Sequence, residues 1–211
     1  MTATEAPRTI HDFGSNLPAA LFDIEYKAPG SPELADLILD LLAPIGVELD
    51  YDWGLDHGTG AVLSAIYPAA DVPIVQLSMD ASKPISWHYD VGRALRPLRE
   101  HGVLILRSGG VVHTLQQMEW DINARPHDWA ERFNDLVINV VETDTPQRLF
   151  DHGALGKDAA LSVPPADLGH YWPLFYVLGS RLASDKLTMK PRHVQYKSLS
   201  MVSFVLHSAR T

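Results

Sequence analysis

Eleven consecutive residues, Val103-Leu104-Ile105-Leu106-Arg107-Ser108-Gly109-Gly110-Val111-Val112-His113, constrain the fold more than any other stretch of the chain. The apolar, partly β-branched run has the length of a buried strand and is too short for a buried helix. Ser108-Gly109-Gly110 breaks it with a turn, and a histidine follows just beyond. In α/β folds the loops after strand ends carry the chemistry, so His113 is the first candidate for a catalytic residue.

The flanking segments supply the rest of such a fold. Residues 1–30 read as an ordered loop segment, with His11-Asp12-Phe13-Gly14 and Leu21-Phe22-Asp23-Ile24-Glu25-Tyr26 aromatic enough to pack. Ser31-Pro32-Glu33 combines an N-cap, a proline at the first helical position and an acid in the first turn. Leu34, Leu37, Ile38, Leu41 and Leu42 then recur at helical spacing, which predicts a helix to about Ala43. A short strand is expected over 47–51, and the glycine-rich turn 53–60 should feed a short helix over 61–66. Residues 73–79 read as a buried strand, 84–100 as a helix and 103–106 as the next strand; that order implies a right-handed crossover in a parallel sheet. Asp128 and Glu131 have capping-box spacing ahead of Phe133, Leu136, Val137, Val140 and Val141. A loop connection over 153–165 leads to a helix over 171–178 with Pro173 in its first turn, and 198–206 closes the chain as a strand. The expectation is an α/β fold, one domain over residues 1–211, with a central, mostly parallel sheet flanked by helices.

Composition narrows the chemistry. There is no cysteine, so a metal would have to be held by His, Asp or Glu, and the 10 histidines become the informative population. Three of them, His57, His113 and His170, stand in loops or at helix starts; singly each reads as structural or exposed, and together they make a histidine-built metal or acid/base site worth testing. Asp56 beside His57, and Asp12 beside His11, are weak orienting candidates, because adjacent side chains usually point apart. His88, His101, His127, His152, His193 and His207 read as solvated. No phosphate loop, dinucleotide fingerprint or Gly-x-Ser-x-Gly elbow is present, and Ser108 reads as a turn residue. A formal charge of −9 and a pI near 5.5 argue against a nucleic-acid partner. Neither a membrane-length apolar run nor a signal peptide is seen, which points to the cytoplasm.

Several segments in register are similar to one family. Pro7-Arg8-Thr9-Ile10-His11-Asp12-Phe13-Gly14, Tyr26-Lys27-Ala28-Pro29-Gly30-Ser31-Pro32-Glu33-Leu34, Gly54-Leu55-Asp56-His57-Gly58-Thr59, Val75-Gln76-Leu77-Ser78, Ser108-Gly109-Gly110-Val111-Val112-His113 and His170-Tyr171-Trp172-Pro173-Leu174 resemble the 4,5-DOPA extradiol dioxygenases, which are class III, LigB-like ring-cleaving enzymes. The likeness runs from about residue 6 to 206. It implies a non-haem Fe(II) enzyme, with Zn(II) at times in the same site, acting on a small catechol and O2. By motif, His113 matches the family's acid/base histidine, His57 a residue of the catechol and oxygen pocket, and His170 a metal ligand. The family's His-Gly-Ser-Pro and Ser-Ala-His-Trp turns, which bring two more ligands on N-terminal strands, are not in this sequence. His11 or a residue of a partner subunit would have to replace them, or no metal would be held. Arg107 stands where the family has a small glycine, and Thr114 where it has asparagine. A homo-oligomer, most simply a dimer, is expected. The alternative from another class is a catalytically inactive homologue acting as a binding or assembly protein.

Overall fold

The computed structural model of the chain describes residues 1–11 and 19–208; the aromatic stretch Asp12-Phe13-Gly14 lies outside them. Two compact units, Met1–Ser78 and Met79–Thr211, are described in turn.

In the first unit the opening residues run beside two later segments. Asp50 N donates to Met1 O at 2.8 Å, Thr2 N to Gln76 O at 3.0 Å, and Leu55 N to Arg8 O at 2.8 Å. Isolated parallel bridges join Thr2 with Asp50, Thr9 with Leu55 and Gly30 with Ile74. The strands expected over 47–51 and 73–79 are therefore paired backbone without a regular ladder. Helix α1, Pro32–Leu41, starts where expected: Ser31 is extended at φ −139°, and its Oγ accepts from Leu34 N at 3.2 Å. Helix α2, His57–Ile66, begins four residues earlier than predicted, because the Asp56 carboxylate accepts from Thr59 N and caps it there. Tyr26, Ala28, Leu55 and Leu63 form the apolar core of this unit.

The second unit is mostly helical. Helix α3, Ile85–Ala94, gives way to a 3-10 turn, Arg96–His101, at Pro97. Helix α4, Asp128–Thr143, lays Phe133, Val137, Val140 and Val141 into the core. Its N-cap is His127, without a side-chain cap, so the capping box read at Asp128 is displaced by one residue; Asp128 and Glu131 instead place charge in the first turn. The predicted loop over 153–165 contains a helical turn, α5, Lys157–Ser162. Helix α6, Pro173–Ser180, has its proline at the first turn as predicted.

Four short strands follow: β1, Lys186–Met189; β2, Val194–Gln195; β3, Leu199–Ser200; and β4, Phe204–His207. They pair antiparallel, β1 with β4 and β2 with β3, so the closing strand predicted over 198–206 is split in two. Residues 103–106 form no strand: within this unit no described backbone group pairs with 104–106, and Leu104 and Leu106 are exposed. An apolar run becomes a buried strand only where neighbours accept its N–H and C=O groups.

Helices α3 and α6 cross with their backbones in contact. A Cβ on Gly92 would lie 2.3 Å from Tyr176 O, and one on Gly179 would lie 2.1 Å from Tyr89 O. The crossing places His88 inside, contrary to the solvated reading: it recurs on the same helix face as Ile85 and Val91, and its Nδ1 is 3.0 Å from Tyr176 Oη. His152 is likewise buried, edge-on to Phe133 and Tyr171. Below the crossing, Arg99 makes a fork-like pair with Asp185 at 2.6 and 2.7 Å. Burial alone would raise Asp185, but the Arg99 hydrogen bond and charge hold its carboxyl below the usual range.

Candidate active site

Two of the histidines singled out in the sequence meet in the second unit. The His113 and His170 rings stack with centroids 3.8 Å apart and planes 26° from parallel. Each is held there by its own set of neighbours.

His113 stands on a segment gripped from three sides. Val111 and Val112 are buried. Ser200 N donates to Val112 O at 2.9 Å, His113 N to Ser162 O at 2.7 Å, and Thr114 N to Ser198 O at 3.3 Å. The Thr114 hydroxyl donates to the carbonyls of Leu161 and Ser162, and Ser198 Oγ returns a bond to Thr114 O at 2.8 Å. The threonine found at the family's asparagine position is thus a buried anchor for His113. Three further anchors, Ser162, Ser198 and Ser200, leave no spacing signal in the sequence, because they act through backbone groups and, at Ser198, one hydroxyl that reach residues far away in the chain.

His170 ends the 3-10 turn Pro165–His170, directly before two pinned aromatics. Tyr171 is fully buried and packs edge-on against Phe175 and His152. Trp172 stacks on His88, centroids 5.1 Å apart. The Ser-Gly-Gly turn docks beneath: Gly110 N donates to His170 O at 2.9 Å, and a Cβ on Gly109, whose φ is +159°, would come within 2.3 Å of that oxygen. Only glycine permits this approach.

Burial tunes the groups nearby. The Tyr171 hydroxyl is buried without a hydrogen-bond partner among the described residues, and its pKa is pushed well up. Burial lowers His88 and His152, so both are neutral imidazoles near pH 7. Arg107 lies two residues before Gly109 with its guanidinium 5.9 Å from the Phe204 ring. Its Nη1 is buried and unpaired among the described residues, and desolvation pulls its pKa down to about 10.

The other two candidates belong to the first unit. His57 is the first residue of α2 and is exposed. His11 has Nε2 2.9 Å from Ile24 O, which can only accept, so Nε2 carries the proton and in the neutral ring Nδ1 keeps the lone pair. Asp56 spends its carboxylate on the helix cap rather than on orienting a ring, as adjacency in the chain leads one to expect. Among the described residues no three of His, Asp and Glu converge on a point that could hold a metal ion. Stacked imidazoles also turn faces rather than convergent lone pairs toward each other. These donors alone do not fit an iron or zinc site, which needs at least three protein ligands in place.

What the arrangement offers by itself is two imidazoles at one point of a rigid frame, suited to proton transfer with a bound phenol. No helix among the described residues is long and apolar enough to cross a membrane.

The chain is similar to known proteins over most of its length. A family model described as the catalytic LigB subunit of aromatic ring-opening dioxygenase matches residues 1–203. A 4,5-DOPA dioxygenase extradiol of Escherichia coli (strain K12) is 44% identical over 210 residues, which cover 96% of this chain and 75% of that protein. A 4,5-DOPA dioxygenase extradiol of Mirabilis jalapa is 36% identical over 174 residues, covering 82% of this chain and 64% of that protein. Among solved structures, an uncharacterized protein from Escherichia coli K12 superposes with a TM-score of 0.80 at 39% identity, over 96% of this chain and 78% of that one.

Proposed function

The chain belongs to the LigB family of aromatic ring-opening dioxygenases, and from that premise we propose that it cleaves a catechol ring in the extradiol manner. Both atoms of O2 enter the product, and the carbon–carbon bond beside the two hydroxyl-bearing carbons is broken. The observation that carries this reading is the His113–His170 stack, built from two family motifs that are 57 residues apart in sequence.

In this reading His113 takes a catechol proton and returns one to the opened product, a task for which a neutral imidazole is suited. His57 lines the catechol pocket. His170 and His11 are the candidate metal donors and Fe(II), or Zn(II) at the same position, the candidate ion. The donors described above fall short of a full ligand set, so no step is assigned to the metal. The mostly parallel central sheet of the expectation is part of the proposal, supported by the three parallel bridges of the first unit. A cytoplasmic location and a homodimer complete it.

The test is to load the protein with Fe(II) under argon, measure retained iron, and follow oxygen uptake with L-DOPA or protocatechuate. One O2 consumed per catechol, and loss of that uptake in His113→Ala, is the expected result. No retained iron together with no oxygen uptake sinks the reading and leaves the protein as a non-catalytic homologue.

A further inference from the structure

Gln76 closes a ring of hydrogen bonds around the start of α2. Its Nε2 donates to Asp56 Oδ2 at 2.8 Å, and its Oε1 accepts from Asp56 N at 3.0 Å and from Thr59 Oγ1 at 3.0 Å. Asp56 Oδ1 accepts from Thr59 N at 2.8 Å. The orientation of the amide is determined by its partners: two donors face Oε1 and a carboxylate faces Nε2, so a flipped amide would lose all three bonds. Gln76 is itself held, because its backbone N donates to Thr2 Oγ1 at 2.8 Å and its carbonyl accepts from Thr2 N at 3.0 Å.

An N-cap needs only one side-chain acceptor. Here both carboxylate oxygens are engaged, and the second is tied to a side chain 20 residues away. On the other side of the cap, Gly54 meets Arg8 O so closely that a Cβ would lie 2.0 Å from it. His57 stands inside the ring, with Asp56 on one side and Gly58-Thr59 on the other.

We propose that Gln76 is a positioning residue for His57: through Asp56 it sets the direction in which the His57 side chain leaves the first turn of α2. The proposal rests on His57 being a pocket residue of the dioxygenase. The bonding pattern also predicts a specific rescue. In D56N alone, either orientation of the new amide sets two N–H donors face to face; in Q76E alone, two carboxylates oppose each other. In D56N/Q76E every donor again meets an acceptor, with the charge moved to the other end of the ring.

The experiment compares the parent, D56N, Q76E and D56N/Q76E in two ways, with H57A, Q76A and H57A/Q76A as controls. The first is the NMR position of the His57 ring protons, identified by their loss in H57A. They should shift in D56N and in Q76E and return in the double variant. The second is kcat/KM for protocatechuate in the iron-loaded protein. Each single variant should lose at least about tenfold, since misplacing a group by about 1 Å costs up to about 10²-fold. D56N/Q76E should recover to within about threefold of the parent, and Q76A in an H57A background should lose less than about twofold, because residues acting as one unit are not additive. Ring protons that stay in place in the single variants, a double variant that folds without recovery, or an undiminished Q76A effect in H57A would each overturn the proposal. If the parent consumes no oxygen, the dioxygenase reading fails and the NMR measurement still decides the clamp.

Discussion

Replacing Gly92 with alanine should force α3 and α6 apart. The new Cβ would sit 2.3 Å from Tyr176 O, 2.8 Å from its Cα and 2.9 Å from its carbonyl carbon, all backbone atoms that cannot rotate away. Ordinary contact begins near 3.4 Å, so the helices must separate by about 1.1 Å. A gap of that size forfeits up to about half of the dispersion energy of the atoms facing it. It also takes the His88 Nδ1 to Tyr176 Oη bond, now 3.0 Å, out of hydrogen-bonding range and leaves two buried polar atoms unpaired, at about 1–3 kcal/mol. Overpacking strain of about 1–3 kcal/mol adds to this, and the better helix propensity of alanine returns about 1 kcal/mol. The net loss should be about 2–4 kcal/mol, or a fall in Tm of about 5–15 °C for a chain of this size. Differential scanning calorimetry measures it, and near-UV circular dichroism should show the Trp172 environment loosening. A Tm within about 1 °C of the parent would refute the backbone-contact account of the crossing.

Three further perturbations probe the site and its surroundings. Gly109→Ala meets His170 O at 2.3 Å and should lower oxygen uptake more than about tenfold while far-UV circular dichroism is unchanged; full activity would show that the Gly109 approach does not set the histidine stack. Arg107→Met removes a buried guanidinium nitrogen that has no partner among the described residues, and the gain of about 1–3 kcal/mol outweighs the lost contact with Phe204, worth about 0.5–1 kcal/mol, so Tm should hold or rise; a clear fall would mean that the guanidinium has a partner. Burial lowers the pKa of His88 and His152 in the folded state, so the unfolded chain binds more protons as pH drops below about 6.5, and stability should decline from there toward pH 5 by at most about 1.4 kcal/mol per pH unit for each group. His88→Gln should remove its share of that slope in urea titrations, and an unchanged slope would assign the loss to other groups.

The features legible in the sequence are those set by local chemistry. Ser31-Pro32-Glu33 starts a helix because a hydroxyl, a locked φ and an acid all act within one turn, and at the start of α6 the locked φ of Pro173 is enough to mark the position. His113 and His170 were marked by the turn and the motif around them, but their stacking depends on Ser162, Ser198 and Ser200, whose part is played by backbone groups from distant segments. His88 and His152 are buried rather than solvated, because a histidine looks the same in sequence whether it faces water or aromatic rings, Trp172 for His88 and Phe133 and Tyr171 for His152. The 103–106 run misled in the opposite direction, since a strand is a property of its neighbours as much as of its own residues. The two-residue strands β2 and β3 carry too few positions for any alternation to show.

The grip on His113 has a consequence in time. The bonds that hold it span 48 residues to Ser162 and 84 to Ser198, closures that are entropically unfavourable until the intervening chain has already condensed. During synthesis Ser198–Ser200 leaves the ribosome only after both histidines are already outside. The helical frame can therefore assemble first, and Val112 to Thr114 are locked only when residues 198–200 return to them. A chain clipped before residue 198 should keep its α3–α6 core and lose the stacking of His113 on His170.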